Sequence, residues 1–400
     1  MDSSFFGLAK SKKEESVLYR RILKEQKPEK PLNHVNALQS PKIIQVRGIR
    51  KSVKEVSRGN IVKKWVQWVI YFCVRGFMFF LRLLPRRAAL AMMKRLGLAA
   101  FYLVKSKRLR AIRNLTAAFG HEKSPSQIRL IARQSFSNFG VFAADAVLIP
   151  RLVGNEIHKL ISAEGLQHLD SLARNNEGAI LLTAHFSNWE LLAAWVAERG
   201  YRIKVIAAPQ TNPYMNRMIA DMRKGAKYES IERGNQTREI LRALGKGYSI
   251  GVLIDQDTKA EGVFVRFFNQ WAYTPVGPVR LALKYGLKII PVFIYLRSDD
   301  TYHVEVKHPL PLVLTGDKRH DLIVNTQRCS DACEAIIRER PEQWLWMMRR
   351  WKRQPKKELV QAHEEILQVT GAGCSSFGRR KKLRETPSRR RSTIVGAKRI

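Results

Sequence analysis

The stretch Gly178-Ala179-Ile180-Leu181-Leu182-Thr183-Ala184 constrains the fold more than any other. An apolar run of this length without polar alternation suits a strand buried on both faces, and such strands belong to parallel sheets covered by helices. The pattern repeats downstream. Residues 190–199 read as a helix closed by Gly200, and 204–208 as a short strand. Helices follow at 213–224 and 237–246, then a second buried strand at 248–254 and a third at 263–268. A helix at 278–285 ends at Gly286; strands at 288–296 and 302–307 and a helix at 322–338 complete the series. Strands separated by helices imply parallel pairing and an α/β layered domain. The fold expected is therefore α/β, a mostly parallel central sheet flanked by helices.

Upstream, residues 86–150 place apolar residues at helical spacing, and Ser124 followed by Pro125 reads as an N-cap with proline at the first helical position. Before them runs WVQWVIYFCVRGFMFFLRLL, residues 65–84, between Lys63-Lys64 and Pro85-Arg86-Arg87. About 20 apolar residues can cross a bilayer. Arg75 and Arg82 interrupt the run, and an arginine at mid-bilayer costs roughly 2.5–3.5 kcal/mol on insertion scales. A poor span, a monotopic anchor lying among the headgroups, and a buried core helix all fit; the aromatic density between basic clusters favours the membrane. The organisation expected is a basic, mostly disordered arm over 1–60, a membrane anchor over 61–87, a helical subdomain over 88–160, a catalytic α/β domain over 161–355 and a basic tail over 356–400.

Charge bears on partners. The chain of 400 residues carries a formal net charge of +38. Residues 61–150 hold 16 basic and 2 acidic side chains, residues 371–400 hold 10 and 1, and residues 151–370 are close to balanced at 32 and 25. A nucleic-acid enzyme lines its working groove with such charge; here it surrounds an apolar segment and fills the ends. Anionic membrane is the partner expected, and nucleic acid is not. A non-catalytic basic protein binding membrane or nucleic acid through its tails is the competing class. The four cysteines form no CxxC pair, which argues against a zinc ribbon or thiol-redox motif.

In open α/β sheets, ligands bind beyond the carboxyl ends of the strands. Two such junctions carry polar chemistry: Ala184-His185-Phe186-Ser187-Asn188-Trp189-Glu190, and Ile254-Asp255-Gln256-Asp257. On one straight helix His185 and Glu190 would point about 140° apart. At a strand-to-helix junction, with Ser187 or Asn188 capping, Glu190 can face back and polarise His185, whose other nitrogen then takes a proton from a substrate hydroxyl. A structural histidine bonded to a nearby carbonyl fits the same pattern. No GxSxG elbow, HExxH, GxxxxGK[ST] or strand-following GxGxxG is present, so no metal or nucleotide cofactor is expected.

TAHFSNWE resembles the HxxxxD/E block of the glycerolipid acyltransferase superfamily, in the form found in the late, lauroyl/myristoyl-type acyltransferases of bacterial lipid A synthesis. The resemblance extends through Asn114-Leu115, residues 134–140, residues 228–241 with Arg233, Val252–Asp257, Phe267–Leu283, Ile290-Pro291-Val292, and the closing Pro341-Glu342-Gln343-Trp344-Leu345-Trp346 and Arg349-Arg350-Trp351-Lys352. Met348 stands where such proteins usually have a histidine. The resemblance implies a membrane-bound O-acyltransferase on the cytoplasmic side of a bacterial inner membrane. It would move a fatty acyl chain from an acyl carrier protein or acyl-CoA thioester to a phosphorylated glycolipid, a lipid A precursor or alternatively a phosphatidylinositol mannoside. His185 and Glu190 would be catalytic; Arg233, Asp255, Asn188 and Gln256 would bind substrate, Arg233 through a phosphate.

Overall fold

The computed structural model describes residues 53–232 and 237–369. The basic arm before residue 53, the tail from residue 370 and Arg233 lie outside the described residues.

A long helix, α1 (Val53–Leu83), opens the chain, so helix begins ahead of the expected anchor boundary. Pro85 separates it from α2 (Arg86–Leu103), and α3 (Lys105–Phe119) and α4 (Pro125–Leu152) follow. Ser124 caps α4 as expected: its side chain accepts from the Gln127 N–H while Gln127 accepts in return from the Ser124 N–H. Helices α2 and α4 cross at two glycines. A Cβ on Gly97 would fall 2.2 Å from the Phe136 carbonyl oxygen, and one on Gly140 would fall 2.0 Å from that of Met93. No side chain fits at either position.

The short helix α5 (Asn155–Leu160) leads into β1 (Ile161–Glu164), then α6 (Gln167–Arg174), β2 (Ile180–Thr183), α7 (Trp189–Glu198), β3 (Ile203–Ala207) and α8 (Pro213–Gly225). Next come β4 (Glu229–Glu232), α9 (Thr237–Leu244), β5 (Ser249–Leu253), the pair β6 (Gly262–Phe267) and β7 (Gln270–Pro275), and α10 (Gly277–Tyr285). The chain continues through β8 (Ile289–Leu296), β9 (Tyr302–Val306), α11 (Lys318–Glu339), a single 3₁₀ turn at Pro341–Gln343 and α12 (Lys357–Val369). Seven strands form one sheet in the order β1-β9-β8-β2-β5-β3-β4, parallel throughout except where β8 meets β9. The expected α/β class is the observed one.

Two details differ from expectation. The predicted third buried strand at 263–268 is no part of the large sheet; it pairs with β7 as a separate antiparallel hairpin. Phe268 and Asn269 at its turn both have positive φ, 51° and 57°, the geometry that matches a two-residue connection to the strand twist. The edge strands β1 and β4 carried no apolar signal, because Ile161 and Ile231 are their only fully buried residues.

Strand β2 explains its own composition. Ile180, Leu182 and Ala184 face a core shared with Leu115, Phe119 and Ile336, while Ala179 and Leu181 face another with Leu191, Ala194 and Trp195. Helix α4 contributes Ile131 and Phe136 to the first core and Val141, Ala144 and Leu148 to the second, which fastens the helical part to the sheet. Helix α1 differs. Among its described side chains, residues 63–83, Met78 and Leu81 are buried, and Trp65, Trp68, Phe72, Phe79 and Leu83 are exposed. The core-helix reading does not hold for it.

Candidate active site

His185 leaves the carboxyl end of β2, and Asp255 leaves that of the adjacent β5. Parallel pairing of two strands in one register brings their following loops together, so residues 70 apart meet. The His185 ring donates from Nδ1 to Asp255 Oδ1 at 2.9 Å, and the His185 backbone N–H donates to Oδ2 at 2.8 Å. Trp344 Nε1–H also donates to Oδ2, at 2.7 Å. Asp255 is fully shielded from solvent. Burial alone would raise its pKa, but the charge and hydrogen bonds of His185 and the Trp344 bond outweigh it, holding the carboxyl below its ordinary value. With the carboxylate ionised, Nδ1 carries a proton and Nε2 is the ring nitrogen left for a substrate.

The expected His185–Glu190 pair does not form. Ser187 takes a left-handed conformation, φ 47°, and Asn188 caps α7, its Oδ1 accepting from the Leu191 N–H at 3.0 Å. Glu190 in the first turn then faces α8 and Tyr228, just ahead of β4, instead of His185. It accepts a bidentate pair from Arg223, Nε at 3.0 Å and Nη2 at 2.5 Å, and a bond from the Tyr228 hydroxyl at 2.6 Å. Burial opposes ionisation here too, and Arg223 with Tyr228 overcomes it, lowering the Glu190 pKa. A long carboxylate in the first turn of a helix reaches these donors, while the shorter Asp255 is already beside the imidazole.

The residues expected to bind substrate divide. Asp255, expected at the acceptor, has no exposed atom with which to touch one; its oxygens are occupied by His185 and Trp344. Asn188, expected at substrate, is fully buried as the helix cap. Gln256 does line the cavity that His185 lines. Arg233 lies outside the described residues.

That cavity has a volume of about 550 Å³. It lies over the β2, β5 and β3 ends between α4, α7 and α8, with Leu181, Leu192, Val196 and Val205 among its apolar walls and His185, Glu190, Arg223 and Gln256 among its polar ones. Trp189 forms part of the wall, stacked on Phe142 at 4.2 Å and edge-on to the His185 ring at 5.1 Å. Phe186 and Trp195 are core residues. A mostly apolar chamber with a few polar groups beside one imidazole can hold a hydrocarbon chain and move a proton at its end.

Sequence reasoning missed the support for this pair. Residues Gln343–Leu345 run beside the histidine loop as a one-bridge strand, with the Ser187 N–H donating to the Gln343 carbonyl at 2.8 Å and the Leu345 N–H to the His185 carbonyl at 3.1 Å. The Gln343 side chain exchanges both its bonds with the Leu296 backbone, and Ser135 Oγ–H donates to the Trp344 carbonyl at 2.7 Å. Asn114 Nδ2–H donates to the carbonyls of Trp346 and Met348. Met348 itself is a buried core residue. Nearby, Arg350 is buried against the Phe267 ring at 4.6 Å and donates to Tyr273 and Thr274; burial pushes it down to about 10, with the Asp255 charge opposing. The closing tryptophan-rich signature was the available signal, but nothing in its spacing says that one indole reaches back to a strand end.

A sequence model of bacterial lipid A biosynthesis acyltransferases matches residues 58–353. The lipid A biosynthesis myristoyltransferase of Escherichia coli (strain K12) is 25% identical over 297 residues, which cover 74% of this chain and 89% of that one. The lipid A biosynthesis acyltransferase of Haemophilus influenzae is 25% identical over 293 residues, 71% and 86% of the two chains. A phosphatidylinositol mannoside acyltransferase of Mycolicibacterium smegmatis is 22% identical over 243 residues, 60% and 78%. With a sheet of this class, a cavity beside a strand-end histidine and a family match over most of its length, the chain belongs to the bacterial lipid A biosynthesis acyltransferases.

Proposed function

We propose that the protein transfers a fatty acyl chain from a thioester donor to a hydroxyl of a lipid A precursor, with His185 as general base. The hydroxyl proton passes to Nε2 as the oxygen attacks the thioester carbonyl. Collapse of the tetrahedral intermediate breaks the C–S bond, and the imidazolium returns the proton to the leaving thiolate. Asp255 fixes the tautomer and offsets the charge that develops on the ring. The observation that carries this reading is the bond from His185 Nδ1 to Asp255, which leaves the other nitrogen of a cavity-lining imidazole for substrate. The apolar cavity suits the acyl chain, and Arg233 suits an acceptor phosphate. An acidic carrier protein is the donor favoured by the basic surface.

The setting is the cytoplasmic face of the inner membrane, with α1 lying in the interface. Its exposed aromatics would each forfeit roughly 1.5–3 kcal/mol of burial in water. A span is disfavoured because α1 is fastened to the body near both ends of its apolar stretch, Lys63–Leu83. Arg82 Nε–H donates to the Val147 carbonyl at 3.0 Å, and Asn212 Nδ2–H to that of Gln67 at 2.9 Å. Crossing the bilayer would drag Asn212 into hydrocarbon.

Purified full-length protein in detergent, given acyl carrier thioester or acyl-CoA and a tetra-acylated lipid A precursor, should form the acylated product by mass spectrometry. A parallel incubation with a phosphatidylinositol mannoside tests the substrate of the mycobacterial relative. His185→Ala should lower turnover by roughly 10²–10⁴. No product with either donor and either acceptor would defeat the proposal and leave the non-catalytic basic protein as the reading.

A further inference from the structure

The junction of α2 and α3 forms an exposed apolar tip that neither the site nor α1 uses. Leu103 is 81% exposed, Tyr102 54% and Val104 41%, and Leu96 and Leu109 are exposed alongside. The tip is built, not frayed. Val104 breaks the helix with φ −95° and ψ 72°. Arg108 then reaches back from α3 to donate to the Phe101 and Tyr102 carbonyls, at 3.0 and 2.7 Å, satisfying the last turn of α2. Holding Leu103 outward in this way offers apolar surface to something other than water.

Charge selects the occupant. Residues 86–119 contain nine Lys and Arg and no Asp or Glu, and Arg95, Lys105, Lys107 and Arg113 are exposed. The arm over residues 1–52 carries 12 basic and 5 acidic side chains, and residues 371–400 carry 10 and 1, so covering by either tail sets like charge on like. A second copy would do the same. We infer that the α2–α3 tip inserts into an anionic bilayer, Tyr102, Leu103 and Val104 entering below the headgroups while Lys105, Lys107 and Arg113 meet lipid phosphates. This is a second membrane contact, separate from α1, and it does not depend on the acyl-transfer reading.

The test uses the full chain with Cys73→Ser, Cys374→Ser and Leu103→Cys, labelled at residue 103 with an environment-sensitive fluorophore and bound to vesicles. On phosphatidylglycerol vesicles the emission should shift to the blue, iodide should be excluded, and a lipid-borne doxyl group should quench. On phosphatidylcholine the shielding should be weaker. Adding Lys105→Glu and Lys107→Glu should weaken shielding on phosphatidylglycerol by roughly 10–100-fold in apparent partitioning of the tip. Iodide access equal to that of free dye on both vesicles overturns the inference. So does shielding without doxyl quenching, or shielding that appears only when an acidic carrier protein is added. Repeating the labelling on a His185→Ala chain should leave every reading unchanged, which separates this contact from catalysis.

Discussion

Replacing Asp255 by Asn removes one charge and almost no volume, and the hydrogen bonds around it dictate the consequence. Two donors, the His185 backbone N–H at 2.8 Å and Trp344 Nε1–H at 2.7 Å, converge on Oδ2. An asparagine must place its single oxygen there. Its NH₂ group then faces His185 Nδ1, at the position where a carboxylate oxygen now accepts at 2.9 Å. The imidazole responds by accepting at Nδ1 and carrying its proton on Nε2, the wrong tautomer for a base. Correct geometry with the wrong tautomer lowers kcat by about 10⁴ in a serine protease triad, and a loss of about 10³–10⁴ is expected here. That is about 4–5.5 kcal/mol at 1.36 kcal/mol per tenfold. The assay is acyl transfer to the glycolipid under saturating donor, with the folded state checked by thermal unfolding. Asp255→Asn within tenfold of the parent would refute the assigned role of the pair, whatever its effect on KM.

Trp344→Phe keeps the ring and removes one bond to a buried carboxylate; kcat should fall about tenfold with little change in KM, measured in the same assay. Glu190→Ala leaves Arg223 without its partner in a mostly buried site, and should cost about 3 kcal/mol in denaturant unfolding while lowering kcat far less than Asp255→Asn. Because the folded Glu190 pKa lies below its unfolded value of about 4.3, its stabilisation is complete above that pH and is lost as pH falls through the folded value. Glu190→Gln should therefore flatten the acid limb of the stability profile between those two pKa values. Ala193→Leu, on the cavity wall, should shift preference toward shorter acyl thioesters in a donor competition, with the acceptor KM unchanged.

The class of fold was legible because β2 and β5 are buried on both faces and must read as continuous apolar runs. His185 was legible for the same reason, standing where such a run ends. Its partner was not. The spacing to Glu190 is local and visible, whereas the contact with Asp255 depends on β2 and β5 being neighbours, which is a fact of strand order. Asp255 reads from sequence as an acceptor ligand at its own strand end, because a sequence does not show that two strand ends share a register. Trp344 was further out of reach: its role depends on the Gln343–Leu345 segment returning to the carboxyl end of β2, in the middle of the sheet. The β6 run reads from sequence as a strand of the main sheet, since a buried run looks alike whether it joins that sheet or a small hairpin.

The Gln343–Leu345 segment also sets when the enzyme comes to life. During synthesis α1, the histidine loop and the Asp255 loop all emerge before it, so a nascent chain holds the imidazole and its carboxylate before that segment exists. Neither is yet aligned: the bonds that Gln343, Trp344 and Leu345 make to the loop of His185 and to Asp255 are still missing. Alignment of the imidazole with its carboxylate therefore waits for residues that are made after both of them. A chain cut before residue 343 would keep His185 and Asp255 but lose every bond that Gln343, Trp344 and Leu345 make to the histidine loop and to Asp255.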